Sequence, residues 1–452
     1  MNQQQLYPDQ PQKSALEQYY GSVTLKILVI VALVLLLQIP VFKIQNLIRE
    51  RETRRNTAVS EANSQWGGAQ TILGPIIHIP YKVFITEEKT VGNQKEVKIR
   101  EEKKVAHFLP KQLGIASNPS AETRKRGIYT LVFYEDKLNM SGSFNFDFSA
   151  LAISEENILW NQATLWLSVG DVHGIAEKPL GSGDGGTFEL LPVESGFSAP
   201  IKLKNGAKSY AFTVDLALKG SEKMLFAPLG EETKVKMKSN WNSPSFTGAF
   251  LPDNREILDQ GFTAEWNVLS FNRNYKQMWT SSSYTDKPEN AENSYFGIEF
   301  FQPVNVYQKS MRSVKYNLMF LGLTFAAFFL VEALTKKLKT VHPVQYLLVG
   351  AAMILFYLLL LSLSEHIPFI AAYTIASVAT IVLITGYIKA MFGRGAVALL
   401  LGALLAALHI FLYIALNAED YALLVGSIGL FLILAIIMYV SRRVNWYELA
   451  KK

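Results

Sequence analysis

The chain has 452 residues, 50% hydrophobic and 18% charged, with a mean hydropathy of +0.16, where a soluble enzyme of this length would be more polar. Cysteine is absent, which excludes disulfide staples, thiolate metal sites and a cysteine nucleophile; the net charge of +6 is modest and local. Apolar residues crowd into one early segment and into residues 316–440, whereas residues 44–315 have soluble-protein composition, so the chain reads as a membrane protein carrying a large hydrophilic domain.

A spanning helix needs about 20 apolar residues to cross about 30 Å of hydrocarbon. After a polar segment, 1–26, the first candidate is "ILVIVALVLLLQIPVF", residues 27–42. It is short, carries Gln38, and is expected to bend or end at Pro40; with no small-residue cleavage signal before it, it reads as an uncleaved signal anchor. Next, residues 44–66 place Ile44, Leu47, Ile48, Ala58, Val59, Ala62 and Trp66 at helical spacing among charges, a juxtamembrane helix that Gly67 and Gly68 should end.

From there to residue 315 the chain reads as strand after strand. Alternation is clearest at Leu138, Met140, Phe144, Phe146 and Phe148, which puts every second side chain on one buried face. Turns rich in Gly, Pro, Asn and Asp predict a predominantly antiparallel β domain over residues 43–315, a sandwich or barrel, split into two subdomains near "GSGDGG". Five further spans follow at 316–334, 344–364, 368–388, 396–416 and 421–440, with a tail at 441–452. The expected architecture is therefore a membrane α-helical bundle of six transmembrane helices, with the β domain inserted between the first and second.

Basic loops stay in the cytoplasm. Lys336, Lys337 and Lys339 follow span two, Lys389 and Arg394 follow span four, and Arg442, Arg443, Lys451 and Lys452 follow span six, while the intervening "EHI" and "NAED" turns have no Lys or Arg. Both termini are thereby expected in the cytoplasm and residues 43–315 on the outer, periplasmic side. Lys43, Arg49, Arg51, Arg54 and Arg55 run against this pattern, but long domains translocate largely regardless of charge.

The chemical candidates each have an ordinary reading. Glu365 and His366, directly after a wall of leucines, sit in a turn between two spans, and without a nucleophile or groove they read as a polar hairpin turn rather than a dyad. Glu332 lies within a span four residues before Lys336, a favourable helical pair; His409 is expected to bond Tyr413, Ser377 or Thr380. An ion pathway would show several acids or helices broken at mid-membrane, and the sequence signals neither. His78, His107 and His173 are far apart in sequence without ligand spacing, so no metal is expected. "GDVHGI" around His173 reads as a turn, "GSGDGGTFE" as a surface loop rather than a phosphate cradle, and "TRKRG" without interleaved aromatics gives no nucleic-acid site. The segment 239–266 interleaves Trp241, Phe246, Phe250, Phe262 and Trp266 with Pro and Gly, which fits rings anchoring loops to the β core or, alternatively, a partner-binding edge.

"SNWNSPSFTGAFLPDNREI" with "GFTAEW", together with "GPIIHIPY", "RKRGIYT" and "HPVQYLLVGAAMILFYLLLLSLSEH", resemble the CreD family of bacterial inner-membrane proteins, colinearly from span one to the terminal "NWY". The resemblance implies a Gram-negative inner membrane, a periplasmic domain, and a role in envelope integrity and tolerance to certain colicins, in some bacteria under a two-component system. It transfers no catalytic residue, cofactor or metal. The expected partners are the lipid bilayer and an envelope protein or periplasmic ligand, with transporter and envelope hydrolase as alternative readings.

Overall fold

The computed structural model describes residues 23–91, 94–283, 286–300, 306–334, 341–418 and 421–442. The chain forms two compact units, Met1–Arg54 with Val304–Lys452, and Arg55–Pro303.

Helix α1, Val23–Trp66, is continuous: Pro40 lies inside it and does not end it. The reason is visible in its packing, since Leu37, Val41, Ile44 and Ile48 recur at helical spacing and are all buried, so the stripe that holds the helix runs through the proline and into the charged stretch. The apolar run at 27–42 and the juxtamembrane helix at 44–66 are thus one element. It stops where expected. Gly67 takes φ +139°, its N–H donates to Asn63 O at 2.9 Å, and a Cβ there would lie 2.7 Å from Lys219 O.

The second unit holds two nine-stranded sheets. Their buried residues form one continuous core, running from Ile72, Ile76 and Phe108 through Leu138, Met140 and Phe144 to Trp266 and Phe296. Alternation produces this directly: the strand Tyr129–Asn145 buries Leu138, Met140 and Phe144 while its intervening residues face outward. Pairing is mostly antiparallel, with two exceptions. Gln70–Val91 runs parallel to Lys223–Phe226, and Pro110–Ser117 runs parallel to Glu232–Ser239. In both, the partners lie more than a hundred residues apart in sequence, and a parallel pair needs a long crossover that local alternation does not reveal. "GSGDGG" does not divide the domain. It forms the hairpin Leu180–Gly183 with Gly186–Glu189 inside one sheet. Residues 55–66, the last turns of α1, belong to this unit, with Trp66 tilted against Phe133 at 5.6 Å and covered by Arg124 at 4.0 Å and Lys219 at 4.4 Å.

In the first unit, α1 is joined by α2 (Val306–Lys315), α3 (Asn317–Leu334), α4 (Pro343–Ser364), α5 (Phe369–Phe392), α6 (Gly395–Asn417) and α7 (Ala422–Ser441). Among the described residues, α1, α4, α5 and α6 are each long and apolar enough to cross a membrane, and a fifth crossing is reached by counting α2 and α3 together. That pair is bent by 43°; α3 matches the expected second span, 316–334, within a residue, whereas residues 306–315, expected as the end of the β domain, form the helix α2 of the helical unit. The amphipathic α2, with Tyr307, Ser310, Ser313 and Val314 buried, forms a separate segment because its outer face carries Lys309, Arg312 and Lys315. The sixth expected span forms a helix, α7, part of whose side chains lie outside the described residues.

Candidate functional site

The two histidines that are far apart in sequence meet in the sheet. His78 on Gln70–Val91 and His107 on Gln94–Phe108 are register partners, and Trp279 on Met278–Ser281 is the next residue in the same row. Their Nδ1 atoms are 2.6 Å apart, so one ring must donate and the other accept; His107 Nε2 reaches Ser281 Oγ at 2.8 Å. The Trp279 ring stacks on His107 at 4.9 Å and donates its N–H to Asp286 at 3.1 Å. Burial, reinforced by the neighbouring His107 charge, holds His78 down at about 3. Burial likewise holds His107 at about 4, with Asp286 pulling the other way. Both rings are therefore neutral at physiological pH, and His78 Nε2 is buried without a partner among the described residues. Among the described residues no group of three or more His, Asp or Glu side chains could hold a metal ion. The pair ties three strands together.

His173 does not join them. It is 72% exposed on the turn Val172–Gly174, with Nδ1 on Asp171 Oδ1 at 2.9 Å, as a capped turn requires. A second buried ionisable group, unremarked in the sequence, is Asp136. It accepts from Ser117 Oγ and from Asn118 N–H, both at 2.7 Å, and burial raises it to about 6 despite these bonds.

In the helical unit, Glu332 pairs with Lys26 of α1; Lys336, its expected partner, lies outside the described residues. Farther along, Asn317 Nδ2 donates to Gln38 Oε1 at 3.3 Å. The two contacts run in opposite order on the two helices, so α1 and α3 are antiparallel. Glu365 and His366 are not a dyad. The Glu365 side chain is 8% exposed, accepts from Tyr307 Oη at 3.0 Å and faces Arg51 at 3.9 Å, while His366 is exposed. Arg51, one of the basic residues that run against the charge pattern, thus braces α1 to the end of α4. His409 bonds none of its expected partners: its Nδ1 meets Leu405 O at 2.8 Å within α6, and its ring packs edge-on against Phe356 at 4.9 Å and Phe320 at 5.8 Å.

The aromatic segment resolves into two parts. Trp266 meets Phe246 edge-on at 5.9 Å and Phe296 tilted at 5.7 Å, and Phe250 meets Phe296 at 5.9 Å, so these rings anchor the segment to the core. What remains outside is the strand Asn254–Leu258, exposed at every residue and, among the described residues, paired only with Gly261–Leu269, at the end of its sheet. Leu251, Ile257 and Leu258 are 66%, 51% and 57% exposed. Beside this edge lies an open groove of about 420 Å³ lined by Lys236, Lys238, Arg255, Glu256 and Glu265.

The family model described as "Inner membrane protein CreD" matches residues 22–447. The chain belongs to the CreD family. It is 33% identical over 422 residues to the "Inner membrane protein CreD" of Escherichia coli (strain K12), an alignment covering 92% of this chain and 91% of that protein. The matched span of this CreD-family chain takes in the histidine row, the exposed edge and the ion pairs of the helical unit alike. The resemblance seen in the quoted stretches accordingly extends through both units.

Proposed function

We propose that this CreD-family chain is a multi-pass inner-membrane protein whose β unit, exposed to the periplasm, supports envelope integrity by binding an extended polypeptide along Asn254–Leu258, without catalysis. The observation that carries the reading is the free edge of that strand. A row of backbone donors and acceptors is open, as in a strand-addition site, and Leu251, Ile257 and Leu258 supply apolar contacts beside a groove of mixed charge. Orientation is supported by the Lys and Arg residues of the loops after spans two, four and six. A photo-crosslinking residue replacing Ile257 in intact cells should capture a discrete envelope protein, and one replacing Val172 (56% exposed, on the His173 turn) should not. Equal capture from both positions, or capture of cytosolic proteins only, would contradict the proposal.

A second reading, transport through the helical unit, is favoured by the Lys26–Glu332 pair, because ionisable groups inside a bundle are costly and mark pathways. Its test is Glu332→Gln: an envelope phenotype unchanged by this variant would weigh against protonation-driven transport.

A further inference from the structure

The strand Asn254–Leu258 carries two charges, Arg255 and Glu256, that have no ion-pair partner among the described residues, and alternation sends them to opposite faces of the sheet. Glu256 lies opposite Thr263, and Thr263 opposite Lys238, in an exposed row. Arg255 lies in the next row, opposite Ala264 and then Met237, both buried, and its guanidinium sits 5.6 Å from the centre of the Phe246 ring. Ile257, opposite Phe262, shares the face of Arg255. On the neighbouring strand, by contrast, Glu265 is already taken by Lys236 at 3.0 Å. The edge is also fixed before anything adds to it. Asp253 N–H donates to Glu265 O at 2.8 Å, and the Asp253 carboxylate accepts the Asn267 N–H at 2.7 Å. A strand held in this way loses little freedom when a neighbour pairs with it.

Two opposite charges on adjacent residues and opposite faces restrict what can lie alongside. A second copy of this chain fits poorly. Paired antiparallel over all five residues, two copies of the edge set Glu256 against Glu256 and Arg255 against Ile257; paired parallel and in register, they set each charge against itself. Like charges directly opposite destabilise a strand pair, and edge charges are a common device against joining of identical sheets. The complementary strand instead has a basic residue opposite Glu256, an acidic residue opposite Arg255 and an apolar residue opposite Ile257. We propose that the occupant of this edge is an extended segment of a different protein in which a basic residue stands between an acidic and an apolar one, with Arg255 and Glu256 selecting it. The inference rests on strand addition at Asn254–Leu258, as in the proposed function, and adds what the incoming strand must carry.

The test uses the full-length protein in detergent and fluorescently labelled peptides of alternating threonine and valine, read by anisotropy. One peptide is left uncharged, and three carry at their centre a glutamate-lysine, a glutamate-glutamate or a lysine-lysine pair followed by valine. The protein should bind the glutamate-lysine peptide about threefold to tenfold more tightly than the uncharged one, the scale of two cross-strand charge pairs. The two like-charged peptides should bind no more tightly than the uncharged one. Glu256→Lys, at an exposed position where the thermal midpoint should not change, should make the glutamate-glutamate peptide the tightest binder. Equal binding of all four peptides, or an unchanged ranking in Glu256→Lys, would overturn the charge selection and leave strand addition standing. Binding of none would overturn both. A photo-crosslinking residue replacing Ile257 that joins the purified protein to a second copy of itself would overturn the choice of occupant.

Discussion

His78 and His107 are held neutral by burial, at about 3 and about 4, against an ordinary imidazole near 6.5. The unfolded chain takes up protons as pH falls through 6.5 while the folded chain does not, so the pair's stability contribution is full above pH 6.5 and is lost as pH falls toward 4 and 3. Each ring should cost up to about 1.4 kcal/mol per pH unit in that window. Urea titrations followed by the fluorescence of Trp166 and Trp279, which flank the pair, should show the midpoint falling between pH 7 and 5. A flat profile would contradict it. Asp136 has the opposite sign: raised from 3.8 to about 6, it favours the folded state below pH 3.8, and that contribution disappears as pH rises through 6. Asp136→Asn, which can keep both hydrogen bonds, should raise the urea midpoint at pH 7.5 by the equivalent of about 1–3 kcal/mol and give no gain at pH 4. The histidine pairing was within reach of the sequence. Gly92–Asn93 is a two-residue hairpin signal, and a turn centred there leaves His78 and His107 fourteen residues away on either side, directly opposite. Asp136 lies in phase with Leu138 and Met140, so alternation places it on the buried face, but its partner Ser117 comes from a neighbouring strand that local pattern does not reveal.

At the scale of elements, what the sequence reveals is periodicity. The alternation from Leu138 to Phe144 becomes a core strand, which ends at Asn145 before Phe146 and Phe148, and spans two to five fall within a few residues of α3, α4, α5 and α6. Departures come where a long-range contact overrides a local rule. Pro40 is expected to bend or end its helix, yet the buried stripe from Leu37 to Ile48 carries α1 through it; residues 306–315, expected in the β domain, fold as α2 and pack through Tyr307 against Glu365. The aromatic segment has the same two-part character. Trp266→Ala, which empties a fully buried site packed against Phe246 and Phe296, should cost about 3–5 kcal/mol. Phe271→Ala, at a side chain 96% exposed, should stay within about 0.5 kcal/mol. Comparable losses for both, measured by thermal unfolding, would mean that the ring cluster does not anchor this edge.

For the whole molecule, composition alone separates an apolar helical unit from a β unit, and the structure divides the chain between 54 and 55 and between 303 and 304. Local pattern leaves the interior pairings of each unit undetermined, because Lys26–Glu332, Gln38–Asn317 and Arg51–Glu365 join residues about 280 to 315 positions apart. These contacts fix α1 against α3 and α4, and they make the basic stretch after span one part of the helical unit's bracing as well as a topology signal. The most direct test uses the absence of native cysteine. A single cysteine at Phe271, on the β unit, and another at Arg394, in the loop before α6, would be probed with a membrane-impermeant maleimide in cells whose outer membrane has been opened. The account predicts labelling of Phe271→Cys with the inner membrane intact and of Arg394→Cys only after that membrane is permeabilised; the reverse pattern would contradict it.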